Sequence, residues 1–262
     1  MSILVFENTT KPKGGTAKNI IRPDATGYYH VISGAFNSHN ASGAFYPFTE
    51  EVKKLFMTSS DLMERVSKGR LYGEWGHPVM EPGMTTREFL LKLLIIHDAH
   101  MSHHIKKVEV EDGATNHDGS PCALVHLWVK PFGPHADIIQ TMLENGEQDG
   151  CFSLRSICVD KNDPATGKLI KVVAKIITWD GVGEPGKEVA SKRYSPAVES
   201  RHEFTRQDVI DALHMCDNQG AGLESVKADV LSLAEEFNLP RNIIKAVENS
   251  RTDRVRPKYL SL

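Results

Sequence analysis

The sequence predicts an α+β body, a mixed sheet with helices packed on it, followed by a helical C-terminal segment. Three observations carry that expectation. Runs rich in β-branched and aromatic residues, bounded by Gly, Asn and Asp, recur between Tyr28 and Trp179. Stretches with apolar residues at helical spacing lie among them, and from Phe204 onward only the helical spacing remains. With 40% hydrophobic and 25% charged residues over 262 positions, the chain has the composition of a soluble globular protein able to bury its own core.

Taken in order, residues 1–27 read as an arm, because Lys11 to Gly27 is polar and broken by Pro12, Gly14, Gly15 and Pro23. Tyr28 to Ile32 reads as a strand ending at Ser33-Gly34. Pro47 can open a helix in which Val52, Leu55 and Phe56 share a face, and Ser60 to Lys68 is a second helix stopped by Gly69. Arg70 to Trp75 is a short strand running into Gly76-His77-Pro78. Thr86 to Ile96 is a helix with Thr86 as its cap and Phe89, Leu90, Leu93 and Leu94 inward. Ile105 to Val110 and Ala123 to Val129 form a hairpin, and His135 to Asn145 a helix ended by Gly146. Phe152 to Val159 and Leu169 to Trp179 are a second strand pair around Asn162 to Gly167. The change of pattern near residue 200 divides a body, 28–200, from a helical tail, 201–262.

Several function classes are excluded at this level. The 31 Lys+Arg against 34 Asp+Glu give a net charge of −3 and no global reason to expect direct nucleic-acid binding. The longest apolar run, Phe89 to Ile96, is interrupted by Lys92 and is far shorter than the roughly 18 residues of a membrane span. The N-terminus has no basic flank before Ile3 to Phe6, which predicts no secretory signal and a cytoplasmic protein. Cys122, Cys151, Cys158 and Cys216 include no Cys-x-x-Cys pair and read as reduced, mostly buried thiols.

Two clusters carry chemistry. In Gly73-Glu74-Trp75-Gly76-His77-Pro78 the glycines allow a sharp turn and Pro78 fixes the exit, so His77 is held at a strand end, as a general base requires. A turn histidine bonded to a carbonyl is the plainer reading. In Cys151-Phe152-Ser153-Leu154-Arg155-Ser156, alternation puts Ser153 and Arg155 on one strand face. A serine needs a neighbouring base to become a nucleophile, and an arginine beside it can hold an oxyanion. Here the plainer reading is a half-exposed strand face. In His97 to His104, the spacing of His97, His100 and His103 could serve zinc in a metal-dependent hydrolase, but no cysteine or Glu-rich partner lies nearby. A helix end with solvated or hydrogen-bonded histidines is the plainer reading.

In order and spacing, these clusters resemble the signature of the prohead core (capsid maturation) serine proteases of tailed bacteriophages, relatives of the herpesvirus assemblins. Asn40-Ala41-Ser42-Gly43-Ala44-Phe45-Tyr46-Pro47 is similar to the family's Asn-x-Asn-x-Arg-x-Tyr-Pro segment, departing at Ser42 and Ala44. Gly73-Glu74-Trp75-Gly76-His77-Pro78 matches Gly-Glu-x-x-His-Pro, whose histidine is the base. Phe152-Ser153-Leu154-Arg155-Ser156 resembles Val-Ser-Ser-Arg-Gly, whose first serine is the nucleophile, departing at Leu154 and Ser156. Ser102-His103 is similar to a Ser-His pair that leads into a strand in many members.

The resemblance, which spans about 28–190, implies a barrel-like sheet and a Ser-His endopeptidase without a cofactor or a metal. Ser153 would attack, His77 carry the proton, and Arg155 with backbone amides hold the oxyanion. Asp180 is the candidate third member, beyond a strand whose matching position reads as Ile177, with Glu74 and His103 as rivals. The implied substrates are scaffolding and internal core proteins and the major capsid protein, cut after glutamate inside the prohead in the host cytoplasm. Glu199, Glu224 and Glu248 are candidate self-cleavage positions, or simply exposed glutamates. The tail can equally serve to dock the enzyme on the scaffold, and a homo-oligomer is compatible with the sequence. The rival reading is a catalytically inactive scaffold or assembly protein of the same fold.

Overall fold

The computed structural model describes residues 20–40, 42–116, 119–148, 150–164, 166–183, 206–218, 226–228, 230–231, 234 and 239. In chain order the elements are β1 (Tyr29–Phe36), β2 (Ser38–His39), β3 (Phe45–Tyr46), α1 (Glu50–Lys54), α2 (Asp61–Ser67), β4 (Tyr72–Glu74), α3 (Thr86–Leu94), a 3-10 turn (Asp98–His100), β5 (Met101–Thr115), β6 (Pro121–Pro131), α4 (Ala136–Glu144), β7 (Cys151–Asn162), β8 (Leu169–Val182) and α5 (Arg206–Asn218). One sheet has the order β1-β6-β5-β4 and is antiparallel throughout. The other has the order β2-β3-β8-β7, antiparallel except for the short β3 to β8 pairing at Phe45 and Ile170.

The mixed α+β class agrees with the sequence, but the barrel-like closure does not. Two open sheets stand where a continuous sheet surrounded by helices was expected. Outside the named strands they are joined by an isolated parallel bridge between Trp75 and Gly181. That seam lies at the C-terminal ends of β4 and β8 and decides where the chemistry sits.

Local signals explain most element ends. Ser60 caps α2 by accepting from the Met63 N–H at 3.2 Å. At α3 the cap is Thr85, one residue before the expected Thr86. Its hydroxyl accepts from the Glu88 N–H, and the Glu88 carboxylate accepts from the Thr85 N–H at 2.7 Å, a reciprocal capping box. β1 does not stop at Ser33-Gly34: a register shift between Ile32 and Gly34 leaves Ser33 as the extra residue of a bulge, Gly34 pairs with Val125, and the strand continues to Phe36. β8 likewise continues beyond Trp179 to Val182.

Two cores form among the described residues. Tyr29, Val31, Ile105, Leu127, Val129, Phe152 and Trp179 belong to the larger one, which draws on both sheets. In the second, Leu90, Leu91 and Leu94 of α3 and Ile157 and Ile177 of β7 and β8 cluster with Val209, Ala212 and Leu213 of α5 and with Val226, Val230 and Leu239. The helical segment read as a tail therefore shares a core with the body. Val209 and Leu213 are fully buried there, each worth about 1.5–3 kcal/mol relative to exposure. Cys122, Cys151 and Cys216 are buried and Cys158 is half-buried.

Candidate active site

The seam fixes the segment that carries His77. The Trp75 N–H donates to the His100 carbonyl at 3.0 Å and the Gly76 N–H donates to the Gly181 carbonyl at 2.7 Å. Gly76 adopts φ 81°, a conformation that L residues rarely take, and this turns the chain out of the bridge. His77 follows at once, beside the neighbour of Gly181. Its Nδ1 lies 2.7 Å from Oδ2 of Asp180, and its side chain is 33% exposed.

Asp180 is fully buried. An ionised carboxylate can only accept, so the shared proton sits on His77 Nδ1, leaving Nε2 as the ring's other, basic nitrogen. Burial alone would raise the Asp180 carboxyl. The adjacent Arg155 charge and the hydrogen bonds from His77 and Arg155 outweigh it and hold the group below its ordinary value.

Arg155 is itself buried, and all five of its N–H donors are engaged. Nε donates to Asp180 Oδ2 at 2.8 Å, and Nη2 donates to Asp180 Oδ1 and Glu74 Oε2, both at 2.8 Å. Nη1 donates to the carbonyls of Leu93 at 3.4 Å and Ile95 at 3.1 Å, at the end of α3. In this arrangement none of the five is left for an oxyanion, the role read for Arg155 from the sequence. What the arginine does is fix a buried carboxylate in two-point geometry. Glu74, a rival third member, faces Arg155 and the His97 N–H, while its own N–H donates to Asp180 Oδ1 at 3.1 Å.

Ser153 is brought in by strand register. It pairs with Asp180 across the β7 to β8 ladder, and Arg155 pairs with Thr178. Directly opposed residues share a sheet face with Cβ atoms about 4.5–5.5 Å apart, so the serine and the aspartate face the same side. Among the described residues no hydrogen bond joins Ser153 to His77, and Ser153 is partly exposed. Such bonds are commonly long before substrate binds.

His103, the other rival, belongs to the floor beneath the site. Its Nδ1 shares a 2.8 Å hydrogen bond with Ser102 Oγ, and its Nε2 is buried. Burial pushes the imidazole down to about 4, and the Asp180 charge offsets this only in part. Gly73 packs so closely here that a Cβ would overlap the Trp179 carbonyl and the His103 ring. His97 and His100 have ring centroids 6.2 Å apart, and among the described residues no group of three or more His, Cys, Asp or Glu is arranged to hold a metal ion.

The Asn40 segment is a loop whose side chain accepts from the Ala44 N–H at 2.8 Å and the Ser42 hydroxyl at 2.9 Å. It leads to β3, which meets β8 at Ile170, ten residues from Asp180 and so about 33 Å along an extended strand. Glu199, Glu224 and Glu248 lie outside the described residues. No described helix is long and apolar enough to cross a membrane.

Sequence reasoning missed the carbonyls of Leu93 and Ile95, which carry no residue signature. It weighed Glu74 only as an orienter of His77. A carboxylate on each of two strands with one arginine between them was the available hint.

Comparison with known proteins gives a consistent picture. Residues 6–251 match the model of the Peptidase S80 family. The chain is 38% identical over 212 residues, 79% of its length and 76% of the relative's, to the capsid maturation protease of Pseudomonas phage phiKZ. No solved structure matches it.

Proposed function

Since this chain belongs to the Peptidase S80 family, we propose that it is a serine endopeptidase of phage capsid maturation, with Ser153 as nucleophile, His77 as general base and Asp180 as orienter. The observation that carries this reading is the 2.7 Å contact of His77 Nδ1 with Asp180, which itself lies opposite Ser153 in the β7 to β8 ladder.

The chemistry follows from charge and position. His77 Nε2 takes the Ser153 proton as Oγ attacks the scissile carbonyl, and returns it to the leaving amine. Asp180, Glu74 and Arg155 together hold two negative charges and one positive, all buried. The uncompensated negative charge stabilises the imidazolium that forms in the transition state, where it matters for rate. With the Arg155 donors engaged, the oxyanion falls to backbone N–H groups. No metal or cofactor takes part in these steps.

The substrates in this reading are scaffolding and internal core proteins and the major capsid protein within the prohead, cut after glutamate. The chain itself is a further substrate, at Glu199, Glu224 or Glu248. The test is intact-mass analysis over time of wild type and Ser153→Ala, alone and mixed with a glutamate-containing scaffold protein. Cleavage by the wild type and none by the variant is the expected result. Cleavage by both removes Ser153 from the mechanism, and cleavage by neither favours an inactive assembly protein of the same fold.

A further inference from the structure

α3 touches a neighbour of each half of the catalytic pair: Arg155 beside Asp180, and the loop that follows His77. At its C-terminal end the Leu93 and Ile95 carbonyls accept from Arg155, which fixes Asp180. One turn earlier, Lys92 Nζ donates to the Val79 carbonyl at 3.2 Å and pairs with Glu81 at 2.6 Å, holding the loop that leaves His77-Pro78. Lys92 is mostly covered, at 22% side-chain exposure.

The opposite side of α3 is seated on the second core. Leu90, Leu91 and Leu94 cluster with Val209, Ala212 and Leu213 of α5 and with Val226 and Val230 beyond it. Arg87 pairs with Asp211 at 3.6 Å at the edge of the same contact. Neither α5 nor Lys92 reaches the reacting atoms.

We infer that the C-terminal helical part positions the catalytic groups: packed on α3, it sets the helix that grips Asp180 through Arg155 and the His77 loop through Lys92. The inference rests on the site reading above for its consequence in catalysis, but the geometry it controls, the His77 to Asp180 contact, can be read without substrate. Lys92 and Leu213 are positioning residues in this scheme. Packed interfaces tend to hold discrete arrangements, so a loosened α3 releases both catalytic segments together.

The test uses the full chain and four variants: Lys92→Met, Leu213→Ala, Leu213→Met as the conservative replacement, and Leu127→Ala as a control in the other core. The first readout is the downfield proton resonance of His77 Nδ1–H and its exchange with water, measured where circular dichroism shows each variant folded. The second is kcat and KM on a peptide substrate. Lys92→Met and Leu213→Ala are expected to speed exchange at least tenfold and lower kcat about tenfold with KM unchanged. Leu213→Met restores both, and Leu127→Ala changes neither. Should Leu213→Ala fail to fold, the smaller truncation Leu213→Val takes its place as the test of the α5 contact, read in the same way, while Lys92→Met tests the loop contact. Exchange within twofold of wild type in Lys92→Met and in any folded Leu213→Ala overturns the inference. If Ser153→Ala remains active, the Ser-His reading fails instead, and the exchange measurement still decides this one.

Discussion

Arg155→Met tests whether the arginine holds Asp180 rather than an oxyanion. The substitution keeps much of the side-chain volume and deletes five hydrogen bonds: three to the carboxylates of Asp180 and Glu74 and two to the carbonyls of Leu93 and Ile95. It leaves two carboxylates buried with no cation between them. Breaking a buried ion pair by removing one partner costs about 3–5 kcal/mol. At about 2–4 °C per kcal/mol for a domain of this size, Tm falls by roughly 6–20 °C.

The pH dependence is the sharper signature. In the wild type the folded Asp180 carboxyl lies below its ordinary 3.8, so its contribution to stability is fully present above that value and is lost only on strong acidification. Without Arg155, burial and Glu74 push the folded carboxyl above its unfolded value. Its effect is then destabilising, growing as pH rises from the unfolded value toward the new folded value and levelling off above it. The stability difference between wild type and variant must therefore be larger at pH 8 than at pH 4, close to the ordinary 3.8. Urea denaturation at both pH values measures it. A gap that is equal at the two pH values, or smaller than about 1 kcal/mol at pH 8, would refute the carboxylate-holding role.

Three further outcomes follow from the geometry. Asp180→Asn should lower kcat by about 10²–10⁴-fold by disturbing the His77 tautomer, whereas Glu74→Gln, whose carboxylate faces Arg155 rather than His77, should cost at least tenfold less; equal losses would make Glu74 an equal orienter. Gly73→Ala should destabilise by about 1–3 kcal/mol or more, because Trp179 contributes a backbone atom that cannot swing away, and a change below about 0.5 kcal/mol in denaturant titration would contradict the packing. His103, pushed down to about 4 by burial, stays neutral to low pH, so its Cε1–H resonance should not move between pH 8 and 5.5. Its contribution to stability is present above the ordinary 6.5 and fades as pH falls toward 4, and a titration midpoint near 6.5 would mean that the ring is solvated.

Much of the site could be read in the residues, and the failures have physical causes. Alternation put Ser153 and Arg155 on one face because β7 carries a period-two pattern at that point. The same rule could not find the end of β8, where Ile176 through Gly181 are all buried and no polar face marks the register. Asp180 was therefore set beyond the strand, and Ile177 at the strand position, whereas Asp180 lies within the strand and opposite Ser153. The starts of α2 and α3 were legible to within a residue because Ser and Thr caps are local, whereas α1 begins at Glu50 behind a Thr49 cap and not at Pro47. The second core was not, because Leu90, Ile157 and Val209 come from three distant segments and each looks ordinary in its own window. The open seam between the sheets, in place of a closed barrel, is likewise a long-range fact that depends on which strand ends meet.

The seam also has a meaning in time. His77 and Asp180 stand 103 positions apart, the one in the loop that follows β4 of the first sheet and the other within β8 of the second. While the ribosome is still making β8, a finished His77 has no aspartate to face, and Ser153 lies on a strand without its partner. In the proposed mechanism, proteolytic competence is thus acquired late in synthesis, when the second sheet docks on the first, and a nascent chain is harmless to its neighbours until that moment.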